Sequence, residues 1–566
     1  MISHDQWAPS PGVRLEKNAW SVVRELDRSI LLTAGPGAGK TEVLAQRADY
    51  LLRTNSCRFP KRILAVSFKT DASRNLKERI QLRCGWNFAS RFDSVTFHGF
   101  AKRIIDKFLP IIAEEGLSPD YAIGAEAIPG KQITFKQLLP LAIKIIQRSE
   151  VARNAIRKTY AHVFLDEFQD CTADQYELIK LLFLGTGIHL TAVGDRKQMI
   201  MGWAGALEGI FKTYATDFDA LPLHLYANFR SKPNLLRVQN EIIREIDPAA
   251  VTPAELISGD EGEVLAVHFQ HSSQEAMVLA DNIRRWIEAG VPPREIAVLM
   301  PRQVDDYGSA LMAELASRGI AARNDSELQD LLKEPAARLV IDYLTCLYGK
   351  GQSDAWARLM DLFTPYEEAS RDHLHRLFET TYRAHVRQVK AAAKTTSPYE
   401  AWWTLSSSFL KDVGYPILTA LSGDYESKPR LREILREVRD RIGALLVSEN
   451  TIPGALARLS DDQAVRFLTI HKSKGLEFHT VIILGVETQA FWSKLAEERC
   501  VYFVGVSRAK ERLLITTAEH RAKPKGTGRW TEQRTPHGEF VSQVTRHLTG
   551  RLAISRAIPS NRCRNL

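Results

Sequence analysis

The sequence predicts an α/β protein built of two parallel-sheet domains, each interrupted by a small helical insertion. Three observations carry that prediction. Short apolar runs bounded by turns recur in two separate series. Several of the runs are apolar on both faces, as strands covered by helices on either side must be. Helical patterns fill the gaps between them, the alternation expected of βα units.

The first series comprises "SILLTAG" (29–35), "RILAVSF" (62–68), "DSVTF" (93–97), "HVFLDE" (162–167) and "HLTAVGD" (189–195), with "TEVLAQRADYLL" and "ASRNLKERI" as intervening helical patterns. The second comprises "EVLAVHF" (263–269), "REIAVLM" (294–300), "FLTI" (467–470), "TVIILG" (480–485) and "RLLITTA" (512–518). Two mostly helical stretches, 101–160 and 346–461, break into these series, and the second holds the well-patterned "KPRLREILREVRDRIGALL" (428–446). The expected division is therefore a first domain of 1–100 and 161–224 around an insertion 101–160, a second of 225–345 and 462–550 around an insertion 346–461, and a tail 551–566. The basic, glycine-punctuated "AEHRAKPKGTGRW" (518–530) reads as an exposed, solvated loop.

Composition narrows the class. With 566 residues, 45% hydrophobic and 25% charged, the chain has ordinary globular usage and room for several cores. Its 76 Lys and Arg against 67 Asp and Glu give a net charge of +9, which suits a polyanionic partner only weakly. Six cysteines stand scattered without a CxxC pair, so neither a zinc site nor a disulfide framework is indicated, and a reducing cytoplasm fits. The amino terminus lacks a basic segment leading into an apolar core, and no run approaches the roughly 18 apolar residues of a membrane span. A soluble cytoplasmic protein without a membrane partner is expected.

The strongest local signal is "LLTAGPGAGKTE" (31–42), in which an apolar strand enters a glycine-rich turn and then a helical pattern. That is the context a phosphate-binding loop requires. Gly35, Gly37 and Gly39, with Pro36 and Ala38 between them, let backbone N–H groups wrap phosphate oxygens, and the helix that follows points its positive end at the same anion. Lys40 is expected to neutralise the β- and γ-phosphates of ATP, and Thr41 to hold Mg²⁺. Ala34 stands where the first glycine of the usual pattern falls. The stretch "HVFLDEFQD" (162–170) drives an apolar run into Asp166, Glu167 and Asp170. Alone it is equally a solvated loop, because acidic turn residues are common. Beside a phosphate loop it supplies Asp166 for the water shell of Mg²⁺ and Glu167 to activate the attacking water. In "AVGDRKQMIMGWAGA" (192–206), Gln198 is placed to sense the γ-phosphate and Trp203 to stack on a nucleic-acid base; an ordinary βα turn is the alternative.

Eight segments in order now resemble the UvrD/Rep-like superfamily 1A DNA helicases. They are "AGPGAGKT" (34–41), "SFKTDASRNLKERI" (67–80), "VTFHGFAKRI" (95–104), "LDEFQD" (165–170), "GDRKQMIMGWAGA" (194–206), "LYANFRS" (225–231), "TIHKSKGLEF" (469–478) and "VYFVGVSRAKERL" (501–513). The resemblance implies two RecA-like P-loop NTPase motor domains and ATP-driven movement along single-stranded DNA, 3′ to 5′. It implies that Arg230 and Arg508 act as arginine fingers, that Phe229 stacks on adenine, that Glu477 contacts the ribose, and that Glu42 lies at the nucleotide. It places Phe68, Phe97, His98, Trp203 and His471 along the DNA channel.

The chain departs from the family near its amino terminus, where the adenine-reading glutamine is not evident and either Asn18 or no residue takes its place, at Met201 and Ala204, which replace a tyrosine and an arginine, and at Glu42, often an arginine. Its short insertions resemble the helicase-like subunits of bacterial anti-phage systems such as Gabija, which implies a separate nuclease subunit as partner. The expected function is an ATP-dependent DNA helicase and translocase acting on single-stranded or tailed duplex DNA. The alternatives are a DNA-activated ATPase that senses ends or loads a nuclease without unwinding, and a nucleotide-dependent DNA-binding protein.

Overall fold

The computed structural model describes residues 2–68, 70–119, 121–124, 126–200, 205–325, 331, 334–349, 353–361, 368–392, 402–421, 425, 428–459, 464–524, 527–528, 530–552 and 563–565. The strands in chain order are β1 (Ile30–Ala34), β2 (Arg62–Ser67), β3 (Phe92–Thr96), β4 (Ala122–Gly124), β5 (Gln132–Thr134), β6 (Tyr160–Asp166), β7 (His189–Gly194) and β8 (Leu221–Leu225). They continue with β9 (Glu263–His271), β10 (Ile296–Met300), β11 (Ala322–Asn324), β12 (Val465–Thr469), β13 (Phe478–Ile483), β14 (Ala509–His520) and β15 (Cys563–Asn565). Three helices bear on the site: α1 (Lys17–Arg24), α2 (Lys40–Arg53) and α3 (Thr70–Cys84).

One compact unit comprises Met1–Glu114, Lys136–Asn324 and Val465–Leu566, and holds both large sheets. The first sheet has the order β3-β2-β6-β7-β1-β8, all parallel. The second has the order β11-β12-β10-β13-β14-β9-β15, parallel except for β15, which runs antiparallel to β9. Ile63 to Val66 of β2 and every residue of β10 are buried, which explains their unalternating apolar sequence. Strand β8 carries Pro222 and escapes the apolar-run reading. It is an edge strand pairing only with β1 among the described residues, where a missing N–H is tolerated.

Parallel pairing has a direct consequence for function. Strands β6, β7 and β1 are neighbours, so their carboxyl ends open on one edge of the sheet. The phosphate loop after β1, the acidic end of β6 and the Asp195 turn after β7 are thereby gathered, although more than a hundred residues separate the first from the second.

The second unit comprises Glu115–Phe135 and Asp325–Ala464. Its small parallel pair β4–β5 packs on the helix Lys428–Glu449. The stretch 101–160 is thus shared between the units: the helices Phe97–Phe108 and Glu150–Thr159 belong with the large sheets, and β4–β5 does not. An aromatic cluster centres the second unit, with Tyr343 stacked on Phe409 at a ring separation of 3.8 Å.

Candidate nucleotide site and its relatives

The loop between β1 and α2 needs its glycines for two different reasons. Gly37 and Gly39 have φ of +74° and +81°, a region L side chains rarely adopt. A Cβ on Gly37 would also meet Arg230 Cβ at 2.6 Å and Asn228 Oδ1 at 2.7 Å. The segment 228–230 is hydrogen-bonded to this loop: Phe229 N donates to Gly37 O at 2.9 Å, and Asn228 Nδ2 to Pro36 O at 3.0 Å. Lys40 lies back on the loop, with Nζ donating to Ala34 O and Gly35 O at 3.1 Å each. Burial lowers its pKa, opposed by Asp195, Glu167 and Asp166. Thr41 follows, half-buried in the first turn of α2.

Glu42 is turned from the loop towards α3. Its carboxylate accepts from Arg79 Nη1 and pairs with Arg83 Nε at 2.9 Å each, and it accepts from Gln46 Nε2 at 2.8 Å. Burial raises its pKa, but the hydrogen bonds from Arg83, Gln46 and Arg79 outweigh that and hold it low. The side chain thereby ties α2 to α3.

The negative charge that ends β6 is met by cations from two directions. Asp166 is buried and its carboxylate accepts from Glu167 N at 3.0 Å. Burial and neighbouring Glu167 push its pKa up against the pull of Lys40. Glu167 itself stands in the left-handed region at φ +51°, a strain non-glycine residues keep when their surroundings fix them. Gln169 is part of those surroundings: it donates to Glu167, and its Oε1 accepts from Asp195 N at 3.0 Å. From the second sheet, Lys474 in the turn after β12 reaches Asp170 at 2.6 Å, Gln198 O at 3.2 Å and Glu167 at 3.9 Å.

A second polar chain runs in parallel with this one. Gln198 donates to Asp195 at 2.9 Å and accepts from Arg508 Nη2 at 3.0 Å. Asp195 is also ion-paired with Lys197 at 2.9 Å. Arg508 is 1% exposed, and burial first and Arg230 second lower its pKa. It is held by its own surroundings, donating to Val504 O, Leu476 O and Ser507 Oγ. Arg230 donates to Glu477 at 2.8 Å and to Ser507 O at 3.2 Å. The acid expected at the ribose is here the counter-ion of an expected arginine finger.

Phe229 is 69% exposed, with its ring 3.9 Å from a Cβ built on Gly39, so a large aromatic face stands open beside the phosphate loop. Asn18 is engaged elsewhere: its amide donates to His224 O at 2.7 Å and docks α1 on β8. Among the DNA-channel residues, Phe68 closes β2 half-buried, and His98 and His471 are half-buried. Burial lowers the pKa of His98. Phe97 requires correction. It is 3% exposed, opening a helix whose cap is Thr96 accepting from Gly99 N, so its ring belongs to the core and is closed to bases. Trp203, Met201 and Ala204 lie outside the described residues. Within the stretch 518–530, Ala522, Lys523 and Gly528 are exposed, but Arg521 requires correction: it is 3% exposed, ion-paired with Glu275 at 2.6 Å and Glu487 at 2.8 Å, and Trp530 Nε1 donates to its carbonyl at 2.9 Å.

The family described as UvrD/REP helicase N-terminal domain matches residues 15–127 and 126–219, and that described as UvrD-like helicase C-terminal domain matches 223–412 and 418–520. The chain belongs to the UvrD/REP helicase family. DNA helicase II of Escherichia coli is 24% identical over 87% of this chain and 83% of its own length. DNA helicase II of Haemophilus influenzae is 23% identical, covering 87% and 82%. The ATP-dependent DNA helicase Rep of Escherichia coli is 23% identical, covering 90% and 91%. The matched spans of this UvrD/REP member contain every described residue of the phosphate loop, the acidic strand end and the two arginines.

Sequence reasoning assigned no role to Lys474, Asp170, Gln169 or Asn228. The buried pair Lys474–Asp170 has a measurable consequence. Lys474→Met leaves Asp170 buried without its cation and should lower stability by about 3–5 kcal/mol. Adding Asp170→Leu should restore most of that loss, and denaturant titration of the wild type and the two variants measures both steps.

Proposed function

We propose that this UvrD/REP family member is an ATP-dependent DNA helicase that hydrolyses ATP to translocate along single-stranded DNA, 3′ to 5′, with two motor domains built on its two large sheets. The observation that carries the reading is the meeting of Arg508 and Lys474, from the second sheet, with Gln198 and Asp170, from the first, beside the phosphate loop. Hydrolysis at such a site is felt by both sheets at once.

Residues of the chain divide the work as follows. Lys40 counters the charge of the β- and γ-phosphates. Glu167 accepts the proton of the attacking water, oriented by Gln169. Gln198 is one link between the sheets, since its amide nitrogen donates to Asp195 and its amide oxygen accepts from Arg508. Arg230 and Arg508 stabilise charge on the transferring phosphoryl group. Phe229 offers its exposed ring to the base. Mg²⁺ fits the donor set: Asp166 is a buried carboxylate whose ionisation burial opposes, and Thr41 is a hydroxyl at the start of α2. These two residues would hold the ion, which supplies neutralisation of phosphate charge.

ATPase assays with and without single-stranded DNA test turnover, and strand displacement on tailed and blunt duplexes tests unwinding. Turnover without displacement would favour the end-sensing or loading alternative. Work beside a separate nuclease, in phage defence as well as repair, extends the reading on the strength of the short insertions; absence of any nuclease co-purifying from the native host would remove that extension.

Trp203 belongs to the same reading, on the segment that also carries Gln198. Stacking on an aromatic is worth about 1–3 kcal/mol per base, so Trp203→Ala should weaken single-strand binding roughly 5- to 150-fold. A core tryptophan would instead show as a loss of about 3–5 kcal/mol in thermal melting, with binding intact.

A further inference from the structure

The chain leaves the first sheet through a short strap, Tyr226–Lys232, between the end of β8 and the helix Pro233–Ile246, whose Leu235 and Val238 lie in the core of the second sheet. Backbone donors of the strap are engaged at nearly every step. Phe229 N donates to Gly37 O, Arg230 N and Ser231 N donate to Asn228 Oδ1 at 2.9 and 3.0 Å, and Lys232 N donates to Lys510 O at 2.9 Å. The first two go to a residue far away in sequence: Tyr226 N donates to Glu16 Oε1 at 3.2 Å and Ala227 N to Glu16 Oε2 at 3.1 Å. Each carboxylate oxygen takes one of two successive N–H groups, and hydrogen bonds to an ionised acceptor are the stronger kind.

Glu16 is the residue before the first turn of α1, with φ −69° and ψ 167°, and its side chain makes no bond to that helix. Ser, Thr, Asp and Asn are the residues that cap a helix from this position, and glutamate is not among them. The side chain serves the strap in place of the helix it precedes.

We propose that Glu16 is a positioning residue for the nucleotide site: by fixing the entry to the strap, it sets where Arg230 stands against the phosphate loop. The inference rests on Arg230 acting in ATP hydrolysis. Contact between strap and loop is close. Asn228 Nδ2 and Phe229 N fasten the strap to Pro36 O and Gly37 O, and a Cβ on Gly37 would lie 2.6 Å from Arg230 Cβ. A strap released at Tyr226 and Ala227 therefore shifts where it meets the loop, and the guanidinium of Arg230 moves with it.

The test is Glu16→Ser, which supplies a capping hydroxyl to α1 but is too short to hold two N–H groups of the strap. Melting should stay as in wild type, while kcat for ATP should fall by up to about 10²-fold, the cost of displacing a reacting group by about 1 Å. Glu16→Gln, of the same length but with one acceptor oxygen, should fall between the two. In an Arg230→Ala background Glu16→Ser should add little further loss, because residues that act through one group are not additive. Amide hydrogen exchange at Tyr226 and Ala227, followed without nucleotide, should quicken in Glu16→Ser.

An unchanged kcat in both Glu16 variants would overturn the proposal, leaving a carboxylate that touches the strap without consequence. A loss that multiplies the loss of Arg230→Ala would overturn it too, since Glu16 would then act through some other group. A wild-type protein without ATPase would sink the hydrolysis reading instead; exchange would then decide for the hold of Glu16 on the strap if quickened, and against it if unchanged.

Discussion

Lys40→Ala should abolish ATP turnover, and Glu167→Gln should stop hydrolysis while leaving nucleotide bound. The two losses differ in kind. Lys40 is the half-buried cation on the carbonyls of the phosphate loop, its charged form favoured by Asp195, Glu167 and Asp166. Removing it takes the charge that holds the phosphates and also leaves those carboxylates facing one another. Glu167→Gln keeps shape and removes proton acceptance, so the left-handed backbone at 167 and its contact with Gln169 survive. Equilibrium nucleotide binding and single-turnover hydrolysis distinguish them: weak binding is expected for Lys40→Ala, and near-normal binding with arrested chemistry for Glu167→Gln. Near-normal single-turnover hydrolysis in Glu167→Gln would strip that residue of the base role.

Arg508→Ala should lower kcat by roughly 10³- to 10⁵-fold, the range arginine fingers supply in phosphoryl transfer. The guanidinium is buried, disfavoured by the nearby charge of Arg230, and anchored by Val504, Leu476 and Ser507. A cation held in that way gains most when negative charge develops in front of it, which is in the transition state. Arg508→Lys should recover little, because an ammonium cannot reproduce the planar donor set that now meets Gln198, Val504 and Ser507 together. Steady-state kinetics decide the matter. A rise in KM with kcat unchanged would make Arg508 a structural ion that binds Gln198 and does no more.

How much of this was legible in sequence follows from distance along the chain. The phosphate loop was legible because strand, glycines, lysine and helix are contiguous, and the positive φ at Gly37 and Gly39 is a property of two residues. The acids at 166 and 167 were legible because they end one strand. Phe97 was misread because an aromatic at a strand end looks alike whether it faces a groove or a core, and the helix beginning at that residue turned it inward. Arg521 was misread because a run of basic residues has no local sign that two glutamates, at 275 and 487, wait in the fold.

The sequence by itself determined which runs become strands, that both sheets are covered on two faces, and where the phosphate loop and its acids lie, because each depends on side-chain period and backbone preference within a few residues. Only the tertiary structure decided which charged group meets which partner: Lys474 with Asp170, Arg508 with the amide of Gln198, Arg230 with Glu477, and Glu42 with the arginines of α3. The first three join residues more than two hundred positions apart, and Glu42 meets its arginines only where α3 lies against α2. A charge carries a long-range demand for a partner but no information about which one; that is settled by the order in which parallel strands pack, and by which side chains the packing removes from water.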